Sequence, residues 1–182
     1  MALKFTTSYL EDSIGLFYHY KKLTDDAMAQ LTDEQLYITL DPEMNSIAIV
    51  VKHMSGNMQS RWSDLLATDG EKPWRNRDAE FCEPPGNRDS LLECWEVGWA
   101  TLFGALKELT EADLVQQVMI RGEAHSVMQA INRQMAHYSY HCGQIVFLAK
   151  HLQHASWQTL SVPRGQSEVF NQKVARGEVS QR

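Results

Sequence analysis

Two histidines stand four residues apart in QMAHYSYHCGQIV, at His137 and His141. On a helix that spacing puts both imidazoles on one face, within reach of a single metal ion. At about 100° per residue, with His137 at 0°, His141 falls near 40° and the apolar stripe of its helix near 60–160°. Both sit on the shoulder of the buried arc. His53 takes the matching position in IAIVVKHMSGNMQSRW. With His53 at 0°, Ile47, Val50, Val51, Met54, Met58, Trp62 and Leu65 span roughly 60–180°, and Asn57 lies near 40°. A pair on one helix can converge with a single His on another. Three neutral imidazoles leave a coordination position open, as catalytic metal sites do, whereas closed structural sites take four ligands. Half-buried polar residues bonded to their neighbours would show the same spacing, and the geometry of the sequence leaves both readings open.

Competing chemistries fall away more firmly. A zincin helix, HExxH, needs Glu directly after its first His, where this chain has Tyr138. A di-iron carboxylate bundle needs ExxH on two helices; none occurs, and Gln134 stands where the Glu would be. Cys82, Cys94 and Cys142 form no CxxC, so they read as reduced thiols, and Cys142 falls on the core side of its helix as a packing residue. His151 and His154 turn away from the core and suit the negative end of the helix dipole. Asn57, Gln134 and Gln144 lie close in angle to the three histidines and are candidates to orient the imidazoles, with plain polar packing as the alternative. In KPWRNRD, Lys72, Arg75 and Arg77 flank Trp74. With Arg164 they would either bind an anionic group or anchor the loop through salt bridges and stacking. The loop could also form a dimer contact.

The elements that must carry these residues are helical. The spacing of Leu10, Ile14, Phe17, Tyr18, Leu23, Met28 and Leu31 predicts a first helix over 8–31. Thr32 and Gln35 form a capping pattern for about one turn before Asp41-Pro42 breaks the chain. A second helix opens at Asn45 or Ser46 and ends before Asp69-Gly70; Gly56 inside it points to close packing. The polar stretch 68–87 holds three of the five prolines. It is a long connection, packed rather than disordered by Phe81, Trp74 and the nearby Trp62. A third helix covers 88–109, starting at Asp89 or Ser90. VQQVMIRGEAHSV reads as a short hairpin around a Gly turn. The fourth helix runs from Ser126 to His154. Its apolar residues Met128, Ile131, Met135, Tyr138, Cys142, Ile145, Ala149 and Leu152 alternate by three and four, as in a helix packed lengthwise in a bundle. An all-α four-helix bundle follows, one domain over 1–182, with 155–182 as an irregular C-terminal segment draped over it.

Bulk composition narrows the partners. The formal net charge is -6, with 17 basic and 23 acidic residues, which argues against nucleic acid. No apolar run is longer than the five residues of IAIVV, far short of a membrane span. MALKFTTSYLEDS has no apolar signal core, and Glu11 and Asp12 fit no transit peptide, so a cytoplasmic location is expected.

One His in the second helix and HxxxH late in the fourth resemble the DinB/YfiT-like superfamily of metal-dependent proteins, and more narrowly its small, uncharacterised bacterial branch. The resemblance is carried by HMSGNMQSRWSDLLATDGEKPWRNRDAEF (53–81), ECWEVGW (93–99), AHYSYHCGQIVFLAKHL (136–152) and LSVPRGQSEVFN (160–171), which cover most of the chain in order. It implies up-down-down-up topology, a homodimer, and a divalent metal ion on His53, His137 and His141. Zinc or nickel comes first, with iron, manganese or cobalt as further candidates. Some relatives use such a metal in transfer or isomerisation with low-molecular-weight thiols, so small thiols and electrophiles are the implied substrates, and a hydrolase-like reaction stands beside S-transfer. The iron-dependent relatives of sulfoxide synthesis carry HxxxHxE, whereas Gly143 occupies the last position here. No catalytic residue beyond the ligands is implied. The alternatives are a non-catalytic or stress-related binding protein whose metal is structural or ligand-sensing, and a metal-free helical interaction module.

Overall fold

The computed structural model describes residues 7–180. Residues 1–6 and 181–182 of the expected 1–182 domain lie outside them, and so does the first half of MALKFTTSYLEDS. Among the described residues the chain is mostly helical. It comprises α1 (Tyr9–Met28), α2 (Ile47–Trp62), α3 (Arg88–Glu108), α4 (Val127–Gln153) and α5 (Ser167–Ala175), with one antiparallel pair, β1 (Gln117–Ile120) and β2 (Glu123–Ser126). No helix is long and apolar enough to cross a membrane.

Side-chain caps set the helix starts. Ser46 accepts from the Ile49 amide to open α2, and Ser126 and Gln129 cap α4 reciprocally. The expected start of α3 at Asp89 or Ser90 moves to Arg88. Asn87 is the cap and Ser90 its reciprocal partner, so the Ser is the third helical residue rather than the first. Thr32 and Gln35 bond each other's backbone amides around a 3-10 turn at Glu34–Tyr37.

α2 packs against α3 and α4, and α1 against α4 and α3. One ring from each long helix meets at the centre. Phe17 lies 6.2 Å from Trp62, 6.4 Å from Trp99 and 5.9 Å from Tyr138 between ring centroids. The first two are edge-to-face pairs, which each add roughly 0.5–1.5 kcal/mol beyond the area they bury. Tyr138 thereby fixes the rotation of α4, and with it the direction of His137 beside it. Close approach of α2 and α3 rests on Gly98, where a Cβ would lie 2.8 Å from the Ser55 Cα. The Ser55 hydroxyl donates to the Cys94 carbonyl across the same contact.

The stripe of α4 departs from its expected run at the ends: Met128 is exposed, while Val127, Ala130 and Gln134 are buried. The long 63–87 connection is anchored along its length. Lys52 donates to the Ala79 and Glu83 carbonyls, and the Gly70 amide to Met119 of β1. The expected hairpin is present, and its turn residues Arg121 and Gly122 both have positive φ. Trp157 and Leu160 rest on the core, as expected of a draped tail. The tail is less irregular than expected, since α5 forms within it, although α5 buries no residue.

Candidate metal centre

The rotation of α2 and α4 brings His53, His137 and His141 together. Their ligating nitrogens lie within 4.8 Å of one another, with His53 and His141 buried and His137 half-buried. His137 Nε2 is 3.4 Å from His53 Nε2 and 3.1 Å from His141 Nε2. A tetrahedral ion with metal–nitrogen bonds of about 2.0–2.1 Å needs its nitrogens about 3.3 Å apart.

Proton placement shows why this cluster suits a cation. Glu80 Oε2 lies 2.8 Å from His53 Nδ1. Burial tends to raise the Glu80 carboxyl, but hydrogen bonds from His53 and Arg75 and the charge of Arg75 outweigh it and hold it below the usual range. An ionised carboxylate only accepts, so His53 Nδ1 carries a proton, and the ligating form of the ring presents its lone pair at Nε2. Gln144 Oε1, 2.8 Å from His141 Nδ1, fixes the same tautomer there. Two lone pairs therefore face His137 Nε2, and the single ring proton of neutral His137 can satisfy at most one of them. Its Nδ1 is buried without a hydrogen-bond partner. Protons on His137 or His141 do not come readily. Burial, helped by the neighbouring imidazoles, lowers His137 to about 3; burial also lowers His141 to about 4 against the hydrogen bond to Gln144. Three imidazoles aimed at one point can hold a metal ion.

Behind this group the supports differ from expectation in two places. Of the three polar residues expected to orient the imidazoles, only Gln144 does so. Gln134 donates to Asn57 and to the Tyr138 hydroxyl, and that hydroxyl donates to Asn57. These three form a buried knot that also takes the Trp62 indole N–H. The second difference is Glu80, an unforeseen partner from a 3-10 turn at Asp78–Phe81. Arg75 Nε donates to Glu80 Oε1 at 2.7 Å, and the Arg75 side chain is only 2% exposed. A His–carboxylate–Arg chain thus ties α2 to the loop. Gly56, one turn after His53, leaves room for it: a Cβ there would lie 2.4 Å from Glu80 Oε1. A glycine in mid-helix was the available signal, but it named no partner.

The KPWRNRD residues divide. Lys72 donates to Thr68 and the Asp69 carbonyl and anchors the loop. Arg75 serves Glu80, and Arg77 lies over the Phe81 ring at 5.0 Å. Trp74 is 60% exposed. Cys142 is buried, and burial pushes its thiol up to about 11, which fits packing. His151 and His154 are exposed and stand apart from the cluster, their rings tilted against each other at 5.5 Å.

Fold and site together define a helical domain with a three-histidine group able to hold a metal ion. The chain belongs to the family described as Protein of unknown function (DUF1572), whose model matches residues 4–166. The match ends one residue before α5. No curated protein and no solved structure matches the chain.

Proposed function

We propose that His53, His137 and His141 hold one divalent ion, zinc or nickel first, in a metal-dependent enzyme of the DinB/YfiT-like type that transfers a small thiol to an electrophile. The observation that carries this reading is the convergence of three Nε2 atoms, with the outer nitrogens of His53 and His141 held by Glu80 and Gln144. The pairing of α2 with α3 and of α1 with α4 supports the up-down-down-up bundle that goes with it.

Bound by neutral ligands, such an ion keeps its full charge and supplies a Lewis acid that lowers the pKa of a thiol or water. The protein's own residues do the rest. Glu80 and Gln144 hold two imidazoles in the ligating tautomer, while Phe81 covers the ring of His53 at 4.6 Å and Tyr140 that of His141 at 4.0 Å. The adjoining cavity is lined by His53, His137, Asn57 and arginines, with no carboxylate. A hydrolysis of the zincin kind uses a Glu as general base. A thiol needs only a lowered pKa and suits zinc or nickel by softness, so thiol transfer is the better supported reaction.

Metal content of protein purified without chelator tests the foundation, followed by a screen of electrophiles against several cellular thiols. Metal-dependent turnover is expected with at least one pair; its absence across the screen counts against the enzyme. The His53–Glu80–Arg75 chain favours one other reading, a structural ion that locks the loop to α2. That reading is distinguished by a large fall in Tm on metal removal without turnover. A homodimer is part of the proposal and would give twice the chain mass in sedimentation.

A further inference from the structure

A cavity of about 330 Å³ opens beside the histidines, lined by His53, His137 and Asn57 together with Arg61, Arg75, Arg77, Arg121 and Arg133. Five guanidinium groups around one small cavity are unexpected in a chain of net charge -6. The loop explains only part of them. Arg61, whose side chain is 3% exposed, donates to the Gly70 carbonyl and to Glu71; Arg75 takes Glu80; Arg121 pairs with Glu71 at 2.9 Å. Arg77 and Arg133 pair with no carboxylate among the described residues. Arg133 bonds only the Gln134 amide oxygen, and Arg77 rests over Phe81. Glu71 and Glu80 are the carboxylates paired with the five, and Asp69, nearby, is occupied by the backbone amides of Glu71, Arg121 and Gly122. Even with Asp69 counted, two positive charges stand uncompensated.

Two further observations point to a ligand. The Nε of Arg61 is buried with no hydrogen-bond partner, an unsatisfied donor that native structures rarely leave. Arg121 occupies a left-handed turn position, φ 56°, where Asn or Gly fits without strain. A long side chain there is strained. In return, its guanidinium lines the rim of the cavity.

We propose that this cavity is an oxyanion-binding site, in which Arg77, Arg121 and Arg133 hold a carboxylate or phosphate of a small substrate with its reacting end toward His53 and His137. Guanidinium groups suit both anions through paired N–H donors. The volume, near the low end for ligand pockets, suits a compact metabolite. A positive cavity on an acidic surface also draws anions in selectively. The inference rests on the proposed metal reading only for the orientation of the substrate; the anion site itself is independent of the ion.

The test is calorimetric titration with inorganic phosphate and with succinate, on the wild type and on Arg77→Gln/Arg133→Gln, with metal content measured in each. Arg77 and Arg133 are exposed, so the double variant should fold with an unchanged circular dichroism spectrum. At least one anion is expected to bind the wild type, and the double variant to weaken it tenfold or more while retaining its metal. The tighter anion assigns the group as phosphate or carboxylate. Binding by neither, or equal binding by the double variant, overturns the proposal. Arginine-dependent binding by a wild type that takes up neither zinc nor nickel would sink the metal reading and leave this one standing.

Discussion

Replacing Gly56 by Ala should destabilise the protein although alanine is the better helix former, and the sign should reverse when Glu80 is removed. In an unobstructed helix interior the change stabilises by about 1 kcal/mol. Here the new methyl carbon would lie 2.4 Å from Glu80 Oε1 and 2.9 Å from its Cδ, so the carboxylate must move. Its movement is costly because the same oxygens accept from Arg75 and His53, both deeply buried. Breaking a buried charge pair costs roughly 3–5 kcal/mol. Arg75 retains Glu71 at 3.5 Å as a partial substitute, which lowers the penalty. The net expectation is a loss of about 2 kcal/mol for Gly56→Ala alone and a gain of about 1 kcal/mol in the Glu80→Ala background. The coupling of about 3 kcal/mol is read from urea unfolding of the four metal-free proteins. The single variant should also bind metal about 10–100-fold more weakly, because the tautomer of His53 is no longer held. Equal effects of Gly56→Ala in both backgrounds would refute the claim that glycine is there to admit Glu80.

Three further outcomes follow from the same contacts. The metal-free protein should lose stability as pH falls below about 6.5: His137 and His141 are held near 3 and 4, so the unfolded chain binds their protons first. The contribution is complete above the unfolded value, and thermal melts between pH 7 and pH 4 should show the decline. Tyr138→Phe should cost about 1–3 kcal/mol by leaving Asn57, Gln134 and Trp62 short of a partner. Metal stoichiometry should be unchanged, because the ring of Tyr138 stays in place and its hydroxyl bonds no imidazole. A thiol reagent at neutral pH should label Cys82 readily and leave Cys142 unmodified until the protein unfolds, as mass spectrometry would show.

Periodicity reveals what a helix face records and little of what a loop does. The alternation along 131–149 locates α4, and the caps Ser46 and Ser126 follow from residue type alone. The same bookkeeping puts His53, His137 and His141 at the edges of two buried stripes, because helical angle is a local property. It also places Asn57 and Gln134 near the histidines in angle, yet these two turn inward to Tyr138. Angle ranks neighbours on one helix and says nothing of which partner wins across two. Glu80 and the arginine cavity were hidden for a different reason. Glu80 is 27 residues from His53, and Arg121 and Arg133 come from a turn and a helix far from KPWRNRD in sequence. Only the path of the anchored loop brings them together. The helix at 167–175 lacks the buried stripe that marks the others, so in sequence the breaks at Pro163 and Gly165 outweigh it.

The metal content of the purified protein bears on all of this. Elemental analysis of protein prepared without chelator should find about one divalent ion per chain in the wild type. His53→Ala and His137→Ala should lose it while remaining folded by circular dichroism. A wild type without stoichiometric metal after exposure to zinc and nickel, or histidine variants that hold it equally well, would contradict the three-histidine centre.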